Sequence, residues 1–60
     1  MKYIRIETTL GYESFVNTEC IESVMSIDGE TRIFTKRLDG MFATYEPIHE
    51  IMQRICEEQT

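Results

Sequence analysis

The sequence is poor in the residues that specialised chemistry needs: it has one histidine, two cysteines and one proline among 60 residues. Two cysteines are too few for a disulfide scaffold, and no metal cluster stands in for one. One proline and three glycines exclude the compositions that remain disordered. Basic residues are also scarce. Six lysines and arginines face eleven acids, for a net charge of −5. Nucleic-acid binders draw much of their affinity from neutralising phosphates, so this balance argues against direct DNA or RNA binding. It suits a basic surface on a larger protein instead. Long apolar runs are missing too. From Met1-Lys2-Tyr3-Ile4-Arg5 onward, charges interrupt each run before it reaches the length of a signal-peptide core or a membrane span. The expectation is a cytoplasmic chain with no membrane contact, its Cys20 and Cys56 held as reduced thiols.

What remains is globular in composition, with 42% hydrophobic and 28% charged residues. Residues 1–60 make a single domain at most. A chain of this length buries only about 60% of its unfolded surface. Its stability alone is marginal, and a dimer or docking onto a larger protein is the usual remedy.

Periodicity sets the elements. Lys2 to Thr8 alternates, with Ile4 and Ile6 on one side and Tyr3, Arg5 and Glu7 on the other, which predicts a half-buried strand. Leu10-Gly11 is a turn signal, and Tyr12 to Asn17 is a second strand forming a hairpin with the first. Thr18 to Glu22 reads as one helical turn or a bend with Ile21 inward. A third strand, Ser23 to Ile27, ends at Asp28-Gly29, a strong hairpin signal because the turn needs positive φ. Glu30 to Leu38 is the fourth strand, Asp39-Gly40 repeats the turn signal, and Met41 to Tyr45 is the fifth. Pro47 then opens a helix where its missing N–H costs nothing. Ile48, Ile51, Met52 and Ile55 form its apolar stripe. Glu50, Gln53, Arg54, Glu57 and Glu58 occupy the other face. Glu50 and Arg54 are spaced for an i,i+4 pair, and Glu57 and Glu58 oppose the helix dipole, so the last turn is expected to fray. The predicted fold class is α+β: a small antiparallel β-meander of about five strands closed by one C-terminal amphipathic helix.

The stretch Phe15-Val16-Asn17-Thr18-Glu19-Cys20-Ile21-Glu22-Ser23-Val24 is similar to the F-V-L-N-…-I-E-x-I segment of the small flagellar FlbD-type proteins. Thr31 to Thr35, Leu38-Asp39-Gly40, and Glu46 with Ile48 to Ile55 resemble that family's strand, turn and closing helix. The chain departs from it by two extra residues between Ile4 and the second strand, and by Tyr45-Glu46-Pro47 before the helix. The resemblance implies a non-enzymatic flagellar accessory role. The strand-turn-strand-helix order also looks like the end of a LytTR-type DNA-binding domain, a function the acidic balance argues against.

Each candidate chemistry has a plainer structural reading. Cys20, His49 and Cys56 lack zinc-site spacing, and read as a thiol bordering the core and a rim imidazole. Ser14, Ser23 and Ser26 have no nucleophile motif around them. Glu57-Glu58 and Glu19 with Glu22 read as solvated acids, since general acid–base work needs a carboxylate raised by burial. No phosphate-cradling glycine motif exists. Catalytic residues, metals and cofactors are therefore expected to be none. Arg32, Lys36 and Arg37 form the one basic cluster and the possible ligand or nucleic-acid contact.

The meander carries apolar residues on both faces, while one helix covers one. Met25, Ile27, Phe34, Phe42 and Tyr45 are the expected interface for a second subunit or a partner. Short acidic chains without a catalytic motif fit the type of phage and prophage accessory proteins. The functional expectation is a small regulator or inhibitor, homodimeric or docked on a larger protein. The flagellar role and a ligand-binding role through Arg32, Lys36 and Arg37 are the alternatives.

Overall fold

A computed structural model describes residues 2–36 and 40–59. Its elements are β1 (Tyr3–Glu7), β2 (Glu13–Asn17), a single 3₁₀ turn η1 (Thr18–Cys20), β3 (Ile21–Ile27), β4 (Glu30–Thr35), β5 (Met41–Thr44) and helix α1 (Ile48–Glu58). The order is the predicted one. All strand pairings are antiparallel: β1 with β2 in one sheet, and β3-β4-β5 as a meander in another. The sheets meet where Thr8 bridges to Thr44 and the Thr9 N–H donates to the Ala43 carbonyl at 2.9 Å.

The alternation in β1 does what it predicts. Ile4 and Ile6 are buried, and the residues between them are exposed. Directly opposed residues share a sheet face, so Ile4 sits with Val16 on the inner side of the hairpin. Ile33 of β4 and Ile51 and Ile55 of α1 complete the buried aliphatic core. Both residues of the Asp28-Gly29 turn have positive φ, at 51° and 79°, as its tight hairpin requires. Gly11 takes a φ of 89° in the first hairpin.

Several details differ from the sequence expectations. β4 ends at Thr35, and Lys36 lies in a bend beyond it. The expected continuation to Leu38 and the Asp39 half of the second turn lie at 37–39, outside the described residues. Pro47 is the helix cap rather than its first helical residue, and its carbonyl accepts from the Glu50 N–H at 3.0 Å. Met52 is exposed although it falls on the apolar stripe, because the core ends at Ile51 and Ile55. The last turn, expected to fray, is helical through Glu58.

β3 begins two residues before its expected start and carries a bulge. Ile21 pairs with Thr35 and Ser23 with Phe34, so Glu22 has no opposite residue. Strict alternation would place Ile21 and Val24 on opposite faces. The extra residue resets the phase, and both pack against the core.

Candidate functional site

The register of the meander decides which side chains share its outer face. Val24, Ile33 and Phe42 are opposite one another across the three strands, and Ile33 is buried, so this row faces inward. The rows Met25–Arg32–Ala43 and Ser23–Phe34–Met41, with Ile27 opposite Glu30, face outward. Of the five expected interface residues, Met25, Ile27 and Phe34 are brought to one face. Tyr45 lies in the bend just past β5, beyond the paired residues, and is 68% exposed. Phe42 is a correction. Its position opposite Ile33 turns it inward, where it packs half-buried against the core.

The outer face also holds Arg32, between Met25 and Ala43. Its Nε donates to Glu30 Oε1 at 3.4 Å. The expected basic cluster is thereby divided. Arg32 stands among apolar neighbours with a carboxylate partner, Lys36 is exposed beyond the strand, and Arg37 lies outside the described residues. Met25 and Met41 are 47% and 50% exposed, so the patch combines methionine, aromatic rings and one arginine. These residue types are enriched at protein interfaces, and no described element covers them.

Glu46 organises the opposite side. Its Oε1 accepts from Arg54 Nη2, and its Oε2 accepts from the Glu7 N–H at 3.1 Å and from Thr44 Oγ1 at 3.4 Å. Its own N–H donates to Thr44 Oγ1 at 3.1 Å, and its carbonyl accepts from Thr31 Oγ1 at 2.7 Å. The hydrogen bond from Arg54 is the main reason that the Glu46 carboxyl is held below its ordinary range, and burial works against it. Arg54 is raised in return by Glu46. Its distance to Glu50 is 4.0 Å, so the expected helical pair is secondary to the contact with Glu46. This arrangement is structural. It satisfies Thr31 and Thr44, which are buried on the inner face, and the Glu46 carboxyl is lowered, opposite to the shift a proton donor needs.

Among the described residues no group of histidine, cysteine and acidic side chains could hold a metal ion. Cys56 is exposed and Cys20 half-buried. Cys56 therefore projects outward instead of bordering the core. Grooves remain beside β2. One of about 500 Å³ is lined by Leu10, Tyr12, Ser14 and Met41–Ala43, and one of about 310 Å³ by Tyr3, Phe15, Asn17, Gly40 and Phe42. Both are open and apolar, and neither gathers a set of groups for chemistry. Sequence reasoning missed them because Phe15, Leu10 and Tyr12 belong to no regular stripe. No helix among the described residues is long and apolar enough to cross a membrane.

No family model matches the chain, and neither a curated protein nor a solved structure matches it.

Proposed function

We propose that the chain is a small non-enzymatic interaction module that docks on a larger protein through the outer face of its meander and acts as a regulator or inhibitor. The supporting observation is the uncovered row of Met25, Phe34 and Met41 around Arg32, with Tyr45 exposed just past β5. Apolar and aromatic anchors around an arginine are the usual composition of an energetic centre in a protein interface. The net charge of −5 favours a partner with a basic surface and predicts faster association at low salt.

The test is affinity capture from a host lysate with the wild-type chain and with Phe34→Glu and Tyr45→Glu, followed by binding of the purified partner. The expected result is one basic protein, retained by the wild type, lost with both variants and weakened by salt. Capture of a nucleic-acid enzyme would favour inhibition as the role. Capture of flagellar motor components would assign the role that the resemblance implies. Equal binding by wild type and both variants would remove the outer face from consideration.

A further inference from the structure

The strand edges of this fold are not equally protected. In antiparallel pairs the hydrogen-bonded positions alternate along the strand. The Thr8 N–H donates to the Tyr12 carbonyl and the Thr18 N–H to the Lys2 carbonyl, both at 2.8 Å. Even-numbered residues of β1 and β2 therefore turn their backbone groups toward each other, and odd-numbered residues turn theirs away. On β1 the outward groups are engaged: the Arg5 carbonyl by Arg54, the Glu7 N–H by Glu46, and the Thr9 N–H by Ala43. That last bond also occupies one of the outward carbonyls of β5, a strand of only 4 residues. β3, the other edge strand of the meander, carries the bulge at Glu22 in its ladder with β4. Capping, shortness and bulging are the devices by which proteins blunt sheet edges.

Among the described residues β2 has none of them. The outward N–H groups of Glu13, Phe15 and Asn17 meet no described strand, and Phe15 is 60% exposed beside them. The two grooves separate this edge from β5. We infer that β2 pairs antiparallel with β2 of a second copy of this chain, about a two-fold axis at Phe15.

The occupant follows from the sequence of the edge. With the axis at Phe15, each Phe15 N–H donates to the Phe15 carbonyl of the other copy. Each Asn17 N–H donates to the Glu13 carbonyl of the other copy. The two Phe15 rings lie side by side, and Glu13 stands opposite Asn17. An axis at Glu13 would oppose two carboxylates, and an axis at Asn17 would leave Glu13 and Phe15 unpaired. The Phe15 register uses the whole edge and opposes no like charges, while Glu13 keeps its ion pair with Arg5. A two-fold interface needs this self-complementarity. The contact is short, so a dissociation constant in the micromolar range is expected. Because two acidic chains repel at long range, salt should strengthen this dimer. Salt weakens binding to a basic partner, so the two interactions separate by the sign of one dependence.

The experiment is sedimentation equilibrium of the full chain over a concentration and salt series. Phe15→Glu and a synthetic chain N-methylated at the Phe15 amide are compared with the wild type, with circular dichroism as the check on folding. N-methylation removes the outward N–H and leaves the bonds between β1 and β2 in place. The expected result is a wild-type dimer that tightens with salt, and at least a tenfold loss of association in both altered chains with the fold retained. A wild type that stays monomeric throughout the series overturns the inference and leaves the outer-face reading standing. So does a dimer that survives both changes at Phe15 but is lost in Phe34→Glu, since it would place the second copy on the outer face.

Discussion

Arg54 of the helix donates through Nη1 to the main-chain carbonyl of Arg5, 3.0 Å away on the outward edge of β1. Its other terminal nitrogen, Nη2, holds Glu46. One guanidinium thus caps a strand edge and fixes the carboxylate that caps the next outward group, the Glu7 N–H. A lysine has one compact ammonium and cannot span both acceptors in a fixed plane. Arg54→Ala is expected to cost about 1.5–3 kcal/mol, the range for hydrogen bonds to charged groups. Urea unfolding measures this. Arg54→Lys should recover less than half of the loss, and full recovery would mean that the bond to Arg5 contributes nothing.

The same contact makes stability depend on pH. Glu46 is held below its ordinary value of 4.5 in the folded chain, chiefly by the hydrogen bond from Arg54. Between the two values the unfolded chain binds more protons, so stability falls as pH falls. The contribution of Glu46 is complete above its ordinary value and is lost as pH drops through the lowered folded one. Other carboxylates titrate in both proteins, so the informative quantity is the wild type minus Glu46→Gln. That difference in urea midpoint should be constant from neutral pH down to about pH 5 and shrink in more acidic solution. A difference that grows on acidification would contradict the assignment.

The Asp28-Gly29 turn offers a backbone test. Gly29 has a φ of 79° and open space around its Cβ position, so a substitution meets strain without a clash. Gly29→Ala should destabilise by roughly 1–2 kcal/mol, the cost of a side chain in left-handed backbone. Asp28, at a φ of 51°, already bears part of this cost, and Asp28→Gly should be neutral or stabilising. Thermal melts of the two variants check both signs.

The elements that the sequence makes legible are those specified by neighbours in the chain. Ile4 and Ile6, the Asp28-Gly29 turn, and Ile51 with Ile55 each follow from a spacing within a few residues. The inward burial of Thr31 and Thr44 does not, because it depends on Glu46 supplying their hydrogen bonds. Nor does the role of Glu46, whose partner Glu7 is 39 residues away. Met25 and Ile27 share a face by local alternation alone, and Phe34 joins them through the register of β3 with β4. Phe42 lies on the other face because the face of β5 depends on its register with β4. The β2 edge was illegible for the same reason: which backbone groups remain unpaired depends on every other strand.

The bulge at Glu22 gives the last prediction. Deleting Glu22 removes the unopposed residue and restores strict alternation across β3. With Val24 held against Ile33, Ile21 then lies two residues from it and stays on the inner face beside the core, still opposite Thr35. The deletion should therefore be tolerated, with a loss in urea unfolding of no more than about 1 kcal/mol. Glu22→Ala keeps the bulge and should shift stability by no more than about 0.5 kcal/mol. Amide exchange separates this closing of the ladder from a slip of the whole strand. Protection between Ser23 and Ile27 and at the pairing of Ile21 with Thr35 should persist in the deletion. A loss of about 1.5 kcal/mol or more, the lower end for burying an isoleucine side chain, together with faster exchange at Ile21, would show that Ile21 keeps its place only with the bulge present.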